Sequence, residues 1–411
     1  MTPQTFSLFL YNLSLLPVVF FSVLFLMLAL LNLLVEKKRT FIPLKKLPFV
    51  SVHIPTFNDP IAVRCIKHCL KFDYPKDRYE IIIADDSTHV KTQQLLSRIA
   101  DSHTGFVKYI HRENRAGFKS GALNNALDIT KGEIIVVFDA DWIPGKGFLR
   151  EIVQPFSNPK VAIVQSRQGF YNKDINTITR FAAYTLSIYH TILMPINNRI
   201  NCVFFCGTAG ALRKSAFVEV GGWNTESLTE DSDLSVRLLR KGYDTVFLDM
   251  ETPSEVPDTF ENFLKQQMRW CYGNVHVFMD NWQNLLFKKG LTLRQRFMIT
   301  FITLANSVAP MVIMMTFFGF AGWFLGEPTL LTLGDVYTFI FRFVITAGFL
   351  LVGVITLFKR RQLHELPHFV FASLTMGLIL AVATGIAFFR ALFNIRPHWS
   401  CTPKADNAKI K

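Results

Sequence analysis

An apolar run at residues 6–35, closed at once by Glu36, Lys37, Lys38 and Arg39, constrains this chain more than any other feature. It is too long for a signal-peptide core and has no basic residues before it. It reads as a transmembrane helix with its N-terminus outside and its basic end in the cytosol. Three more apolar segments follow at about 297–325, 336–358 and 369–393. Residues 37–296 hold no run of spanning length, so they read as one cytosolic domain of ordinary size. The loop 326–335 carries acids and no bases, which fits the outside, and Lys359, Arg360 and Arg361 fit the inside. The third C-terminal segment poses a parity problem. If it crosses, the tail with Lys404, Lys409 and Lys411 lies outside, against its charge. Residues 369–393 are therefore expected to lie at the interface or re-enter, although their hydrophobicity favours crossing.

Composition agrees with a membrane protein. Hydrophobic residues make up 50% of the chain and 40 are Phe, beyond the share of a soluble domain. The net charge of +13 fits basic residues on the cytosolic side of the spans, with anionic lipid or nucleotide phosphate as further partners. Nucleic acid is not an expected partner, because the bases cluster beside apolar runs and not on one soluble face. Cys65/Cys69 and Cys202/Cys206 share a C-x3-C spacing, which structural zinc sites rarely use twice. They read as reduced, buried thiols and not as a zinc site.

The soluble part alternates strands and helices. Apolar runs at 49–54, 79–84, 106–111 and 133–138 read as strands, and stretches ending near Leu70 and Ala100, and at 119–129, read as helices. That pattern predicts a doubly wound α/β sheet, in which ligands bind beyond the carboxyl ends of strands. Three strands end there in polar or acidic residues: Thr56, the Asp85-Asp86 pair, and Asp139 with Asp141. Adjacent Asp85 and Asp86 point in different directions, and one can accept from a base or ribose. Asp139 and Asp141, two apart, can lean toward one ion. Hard carboxylate oxygens suit Mg²⁺ or Mn²⁺, with a diphosphate completing the shell. Lys119, at a helix start, can reach a phosphate. Thr229, Glu230 and Asp231 open another helix; they read as first-turn acids, or with Asp231 as a general base. Gln266 and Arg269 share a helix face, where Arg269 can meet a diphosphate and Trp270 can stack on a sugar ring.

In this order, Asp85-Asp86, Asp139-x-Asp141, Thr229-Glu230-Asp231 and Gln266-x-x-Arg269-Trp270 resemble the D, D-x-D, TED, Q-x-x-R-W signature of family 2 processive glycosyltransferases. Phe204-Phe205-Cys206-Gly207-Thr208 is similar to the matching segment of cellulose synthases. Residues 115–123 and 164–167 resemble plant mannan and glucan synthase-like proteins. Trp399 to Lys404 is similar to a gating-loop motif, F-x-V-T-x-K, with Trp and Cys substituted. The resemblance covers about residues 47–405.

It implies a GT-A catalytic domain over 47–290, after a membrane helix at 1–36. A membrane region at 297–393 and a cytosolic gating-loop-like tail at 394–411 follow. It implies an inverting enzyme that extends a β-linked polysaccharide from UDP-glucose first or GDP-mannose second. Transfer of a few sugars to a membrane lipid is the alternative. Thr56, Asp85 and Asp86 fall to the nucleoside end; Lys119, Asp139, Asp141 and Arg269 to the diphosphate and metal. Asp231, with Thr229 and Glu230, falls to catalysis; Cys206, Gln266 and Trp270 to the acceptor; Thr402 and Lys404 to closure over the nucleotide. Cellulose synthases have more helices, so a second copy or an accessory export partner is expected to complete a glycan channel. The expected location is a plasma (or bacterial inner) membrane, with the catalytic domain cytosolic.

Overall fold

The computed structural model describes residues 2–34, 41–287, 290–326 and 336–396. In chain order the elements are α1 (Pro3–Leu34), β1 (Val50–Thr56), α2 (Ala62–Cys69), β2 (Tyr79–Asp85), α3 (Val90–Asp101), β3 (Val107–His111), α4 (Phe118–Leu127) and β4 (Ile134–Val137). There follow α5 (Phe148–Ile152), β5 (Val161–Phe170), α6 (Thr177–Ile188), α7 (Met194–Arg199), β6 (Gly210–Arg213), α8 (Lys214–Glu219), α9 (Glu230–Arg240) and β7 (Asp244–Ser254). The last are α10 (Phe260–Leu286), α11 (Leu293–Leu304), α12 (Val308–Phe324), α13 (Val336–Thr346), α14 (Gly348–Lys359) and α15 (Leu366–Leu392).

The four expected strands form, within one or two residues of their expected ends. They pair in parallel, and three more strands extend the sheet to the order β3-β2-β1-β4-β6-β5-β7. β6 runs antiparallel to both neighbours, and β5 and β7 are parallel. The sheet is therefore mixed. β1 and β2 are buried at every position, as expected of strands covered on both faces. The core between α2, α5 and the sheet is aromatic: Phe72, Tyr79, Phe138, Trp142 and Phe148 pack with Val52, Ile54, Ile81 and Ile83.

Three stretches are long and apolar enough to cross a membrane: Pro3–Leu34, Leu293–Phe324 and Leu363–Leu392. The segment 336–358, expected as one span, is instead two short helices broken at Ala347. The break has a local cause. The Gly348 N–H donates to Ser22 Oγ of α1 at 2.7 Å, and a Cβ on Gly348 would fall 2.3 Å from the Ser22 carbonyl oxygen. α1 meets its neighbours through polar side chains. Ser7 donates to the Phe318 carbonyl at 2.9 Å, and Asn32 donates to the Thr191 carbonyl at 2.6 Å.

α15 lies against the globular domain along its length. At its start Glu365 accepts from Lys173 and from Tyr184, each at 2.7 Å. Midway, Cys271 of α10 donates to the Thr384 carbonyl at 3.3 Å. Just past its end, Arg396 pairs with Glu226 at 3.2 Å. The opposite face exposes Phe371, Leu374, Leu378, Ile386 and Phe389.

Candidate functional site

A cavity of about 210 Å³ opens beyond the carboxyl ends of β1 and β4. The expected site residues on its wall come from seven chain segments. Thr56 comes from the end of β1, Asp86 from just past β2, and Lys119 from the first turn of α4. Asp139 and Asp141 follow β4, Cys206 precedes β6, Thr229 to Asp231 open α9, and Gln266, Arg269 and Trp270 line it from α10.

Asp85 stands apart from this set. It is fully buried and does not line the cavity. Its carboxylate accepts from Ser87 Oγ at 2.5 Å, Tyr109 at 2.8 Å and His111 at 3.0 Å. Of the two adjacent acids expected at the nucleoside end, only Asp86 lines the cavity. Asp86 faces the cavity, and Arg112 holds it with two bonds of 2.8 and 2.6 Å. Arg112 also donates to the carbonyls of Ala116 and Phe118, so one guanidinium ties Asp86 to the loop that carries Lys119. In that loop the Arg115 guanidinium stacks 3.3 Å over the Phe57 ring. Thr402 and Lys404 lie outside the described residues.

Lys119 is at the centre. Its ammonium lies 2.7 Å from Asp139 and 2.9 Å from the Gly207 carbonyl. Burial works against its charge, but Asp139, Glu230 and Asp231 more than offset this and raise its pKa above the usual value. Asp141, 1% exposed, accepts from the Glu255 N–H at 2.9 Å. Asp139 is oriented by its own N–H, which donates to Thr208 Oγ1 at 2.9 Å.

Asp231 sits in the first turn of α9 and faces the cavity. Thr229 makes no capping bond, and its buried hydroxyl has no partner among the described residues. A helix N-terminus favours the ionised form of a carboxylate. Asp231 is nevertheless pushed up to about 7, by burial first and by the adjacent Glu230 second, against the opposing pull of Lys119 and Arg269. A carboxyl poised near neutrality, facing a cleft, is suited to proton transfer. Gly207 makes room for it. It has φ +76°, and a Cβ there would lie 3.0 Å from Asp231 Oδ2.

The α10 side is under-satisfied. Gln266 Oε1 is buried with no partner, and Arg269 makes no ion pair among the described residues. Cys206, beside Asp231, keeps its thiol protonated: burial first, and Asp231 second, push its pKa well up. The sequence reading passed over Phe57, Gln168 and Glu255, which also line the cavity. Gln168 Oε1 accepts from Nε2 of buried His190 at 3.2 Å. None belongs to a motif, so only the fold brings them to the site.

The donor set fits a hard divalent cation. Among the described residues no three metal-ligating side chains converge, and two carboxylates face the cavity at the end of one strand. Mg²⁺ and Mn²⁺ are held in this way, by one or two carboxylates completed by phosphate oxygens and water.

Residues 134–359 match a family model described as Glycosyl transferase family group 2. A probable glucomannan 4-beta-mannosyltransferase 7 of Oryza sativa subsp. japonica is 33% identical over 278 residues, 64% of this chain and 47% of that protein. Glucomannan 4-beta-mannosyltransferase 2 of Arabidopsis thaliana is 36% identical over 243 residues, 56% of this chain and 45% of that protein. The chain thus spans about half the length of the curated relatives it matches. The fold is shared with a mannosyltransferase, PcManGT from Pyrobaculum calidifontis, solved with GDP-Man and Mn²⁺. The TM-score is 0.64 at 17% identity, over 96% of this chain and 100% of that one.

Proposed function

The chain belongs to glycosyl transferase family group 2, and on that premise we propose that it transfers mannose from GDP-mannose to a growing β-linked glycan at a membrane. One observation carries this reading: a single cavity gathers a carboxyl poised near pH 7, two strand-end carboxylates, a lysine and an arginine. Relatives named for mannosyl transfer support mannose as the sugar and move GDP-mannose ahead of UDP-glucose.

In this reading Asp86, Thr56 and the Arg115–Phe57 stack hold the nucleoside. Asp139 and Asp141 hold Mn²⁺ or Mg²⁺, which when bound neutralises charge on the leaving diphosphate. Lys119 and Arg269 add positive charge to the same oxygens. Gln266 and Trp270 seat the acceptor, the ring by stacking and the Gln266 carbonyl by accepting from a sugar hydroxyl. Asp231 takes the proton from the acceptor hydroxyl as its oxygen attacks the anomeric carbon from the face opposite the diphosphate. That displacement inverts the anomeric centre.

The helices support a matching topology. In this topology α1, α11 with α12, and the broken pair α13 and α14 cross the membrane, and α15, although long and apolar enough to cross, lies in its plane. Both ends of α15 rest on the domain that holds the cavity, and its outer face is apolar. The basic run Lys359, Arg360 and Arg361, at the end of the bundle where Lys359 reaches the Asn32 carbonyl, supports a cytosolic domain.

The test uses the full chain in detergent with labelled GDP-mannose or UDP-glucose, with Mn²⁺ or a chelator. Long, mannanase-sensitive product from GDP-mannose is expected. Transfer from UDP-glucose alone overturns the sugar assignment. Short, lipid-extractable product moves the reading to glycolipid synthesis.

A further inference from the structure

Arg64, Tyr171 and Glu255 belong to none of the motifs, yet they converge on Asp141 from three segments. Arg64 is on α2, Tyr171 follows β5, and Glu255 follows β7. One nitrogen, Arg64 Nη2, donates to the Asp141 carbonyl at 3.3 Å, to Glu255 Oε1 at 3.2 Å, and to the Tyr171 hydroxyl. Tyr171 in turn donates to Glu255 Oε1, and its ring lies 4.8 Å beneath the guanidinium. The Glu255 side chain, 5% exposed, is thereby fixed. Its own backbone N–H then points at Asp141 Oδ2, 2.9 Å away. Asp141 is gripped at two points: its carbonyl by Arg64 and its carboxylate by Glu255.

We propose that Arg64, Tyr171 and Glu255 form a positioning clamp that aims the Asp141 carboxylate at the metal. The proposal rests on the reading of Asp139 and Asp141 as the metal carboxylates. Groups that orient a ligand in this way set metal affinity, and their loss typically costs 10–100-fold. A planar guanidinium suits the task because its donors are held in one fixed fork. Burial and Glu255 both raise the Tyr171 pKa, so the hydroxyl stays protonated and keeps donating.

The experiment measures Mn²⁺ binding to the full chain in detergent with GDP, by electron paramagnetic resonance. Asp141→Asn is the control for the metal reading, and Arg64→Met and Tyr171→Phe test the clamp. Arg64→Met is expected to weaken Mn²⁺ binding by roughly 10-fold or more, and Tyr171→Phe by a few-fold. GDP binding under chelator is expected to be unchanged in both, and excess Mn²⁺ to restore turnover. A merely structural role would not be rescued by metal. If Asp141→Asn loses Mn²⁺ while both clamp variants keep wild-type affinity, the clamp is overturned. If Asp141→Asn keeps Mn²⁺, the metal reading itself falls. Tyr171 is 40% exposed, so Tyr171→Phe tests the clamp even if Arg64→Met does not fold.

Discussion

The two sides of the cavity are built on opposite principles. On the β2 side every carboxylate has its partners: Asp85 has Ser87, Tyr109 and His111, and Asp86 has both arms of Arg112. On the α9 and α10 side the polar groups wait. The Thr229 hydroxyl and Gln266 Oε1 are buried without partners among the described residues, and Asp231 is held near neutrality. A buried polar atom left unpaired costs about 1–3 kcal/mol, so the second side gives up stability that a bound ligand can return. The first side is a pre-formed cradle, and the second is completed by what it binds.

That contrast is broken most directly at Asp231. Asp231→Asn is expected to lower turnover by roughly 100-fold or more, read as transfer rate at saturating donor. The same change tests the energetic half of the contrast. The carboxyl has a pKa of about 7 when folded, against an ordinary value of 3.8. Between those values the folded state binds more protons than the unfolded one, so stability falls as pH rises through that window. Asp231→Asn should therefore raise the thermal midpoint more at pH 8 than at pH 5. Wild-type turnover should fall as pH drops below about 7, because the base becomes protonated. A midpoint that drops in the variant at both pH values would show that Asp231 belongs to the satisfied side.

Asp85→Ala is the converse. It leaves Ser87, Tyr109 and His111 without their acceptor and should destabilise the fold by about 3 kcal/mol, seen as a lower unfolding midpoint. Donor KM in the folded fraction should hold. Next in size is Gln266→Leu, which removes an unpaired acceptor. Its midpoint should hold or rise while acceptor KM increases by roughly 10-fold; unchanged acceptor KM would place Gln266 outside acceptor binding. Gly207→Ala is the smallest. A left-handed alanine costs about 1 kcal/mol, and its methyl would crowd Asp231. A several-fold fall in turnover with little loss of stability is expected.

Much of this was legible because the local signals agreed. Three of the four apolar strands ended in polar or acidic residues, so Asp139 and Asp141 could be placed at a sheet edge from the strand pattern. Direction was not legible. Asp85 and Asp86 are adjacent and identical, and only the path of the loop decides which faces the cavity. β6 was missed because it is four residues long and runs antiparallel between crossovers. The Arg64–Tyr171–Glu255 cluster was invisible because its members lie 107 and 84 residues apart and meet only when the sheet is complete. The break at Ala347 depends on Ser22, more than 300 positions earlier, and hydropathy does not register such a contact.

The pinning of α15 at both ends has a consequence for how the chain is made. Lys173, Tyr184 and Glu226 all precede Leu366 by more than a hundred positions. The ribosome therefore delivers the anchoring surface before it delivers the helix. A segment apolar enough for insertion machinery to take emerges after the residues of its docking face have been made. Its final placement becomes a race between two receivers, and the order of synthesis gives the folded domain the earlier start.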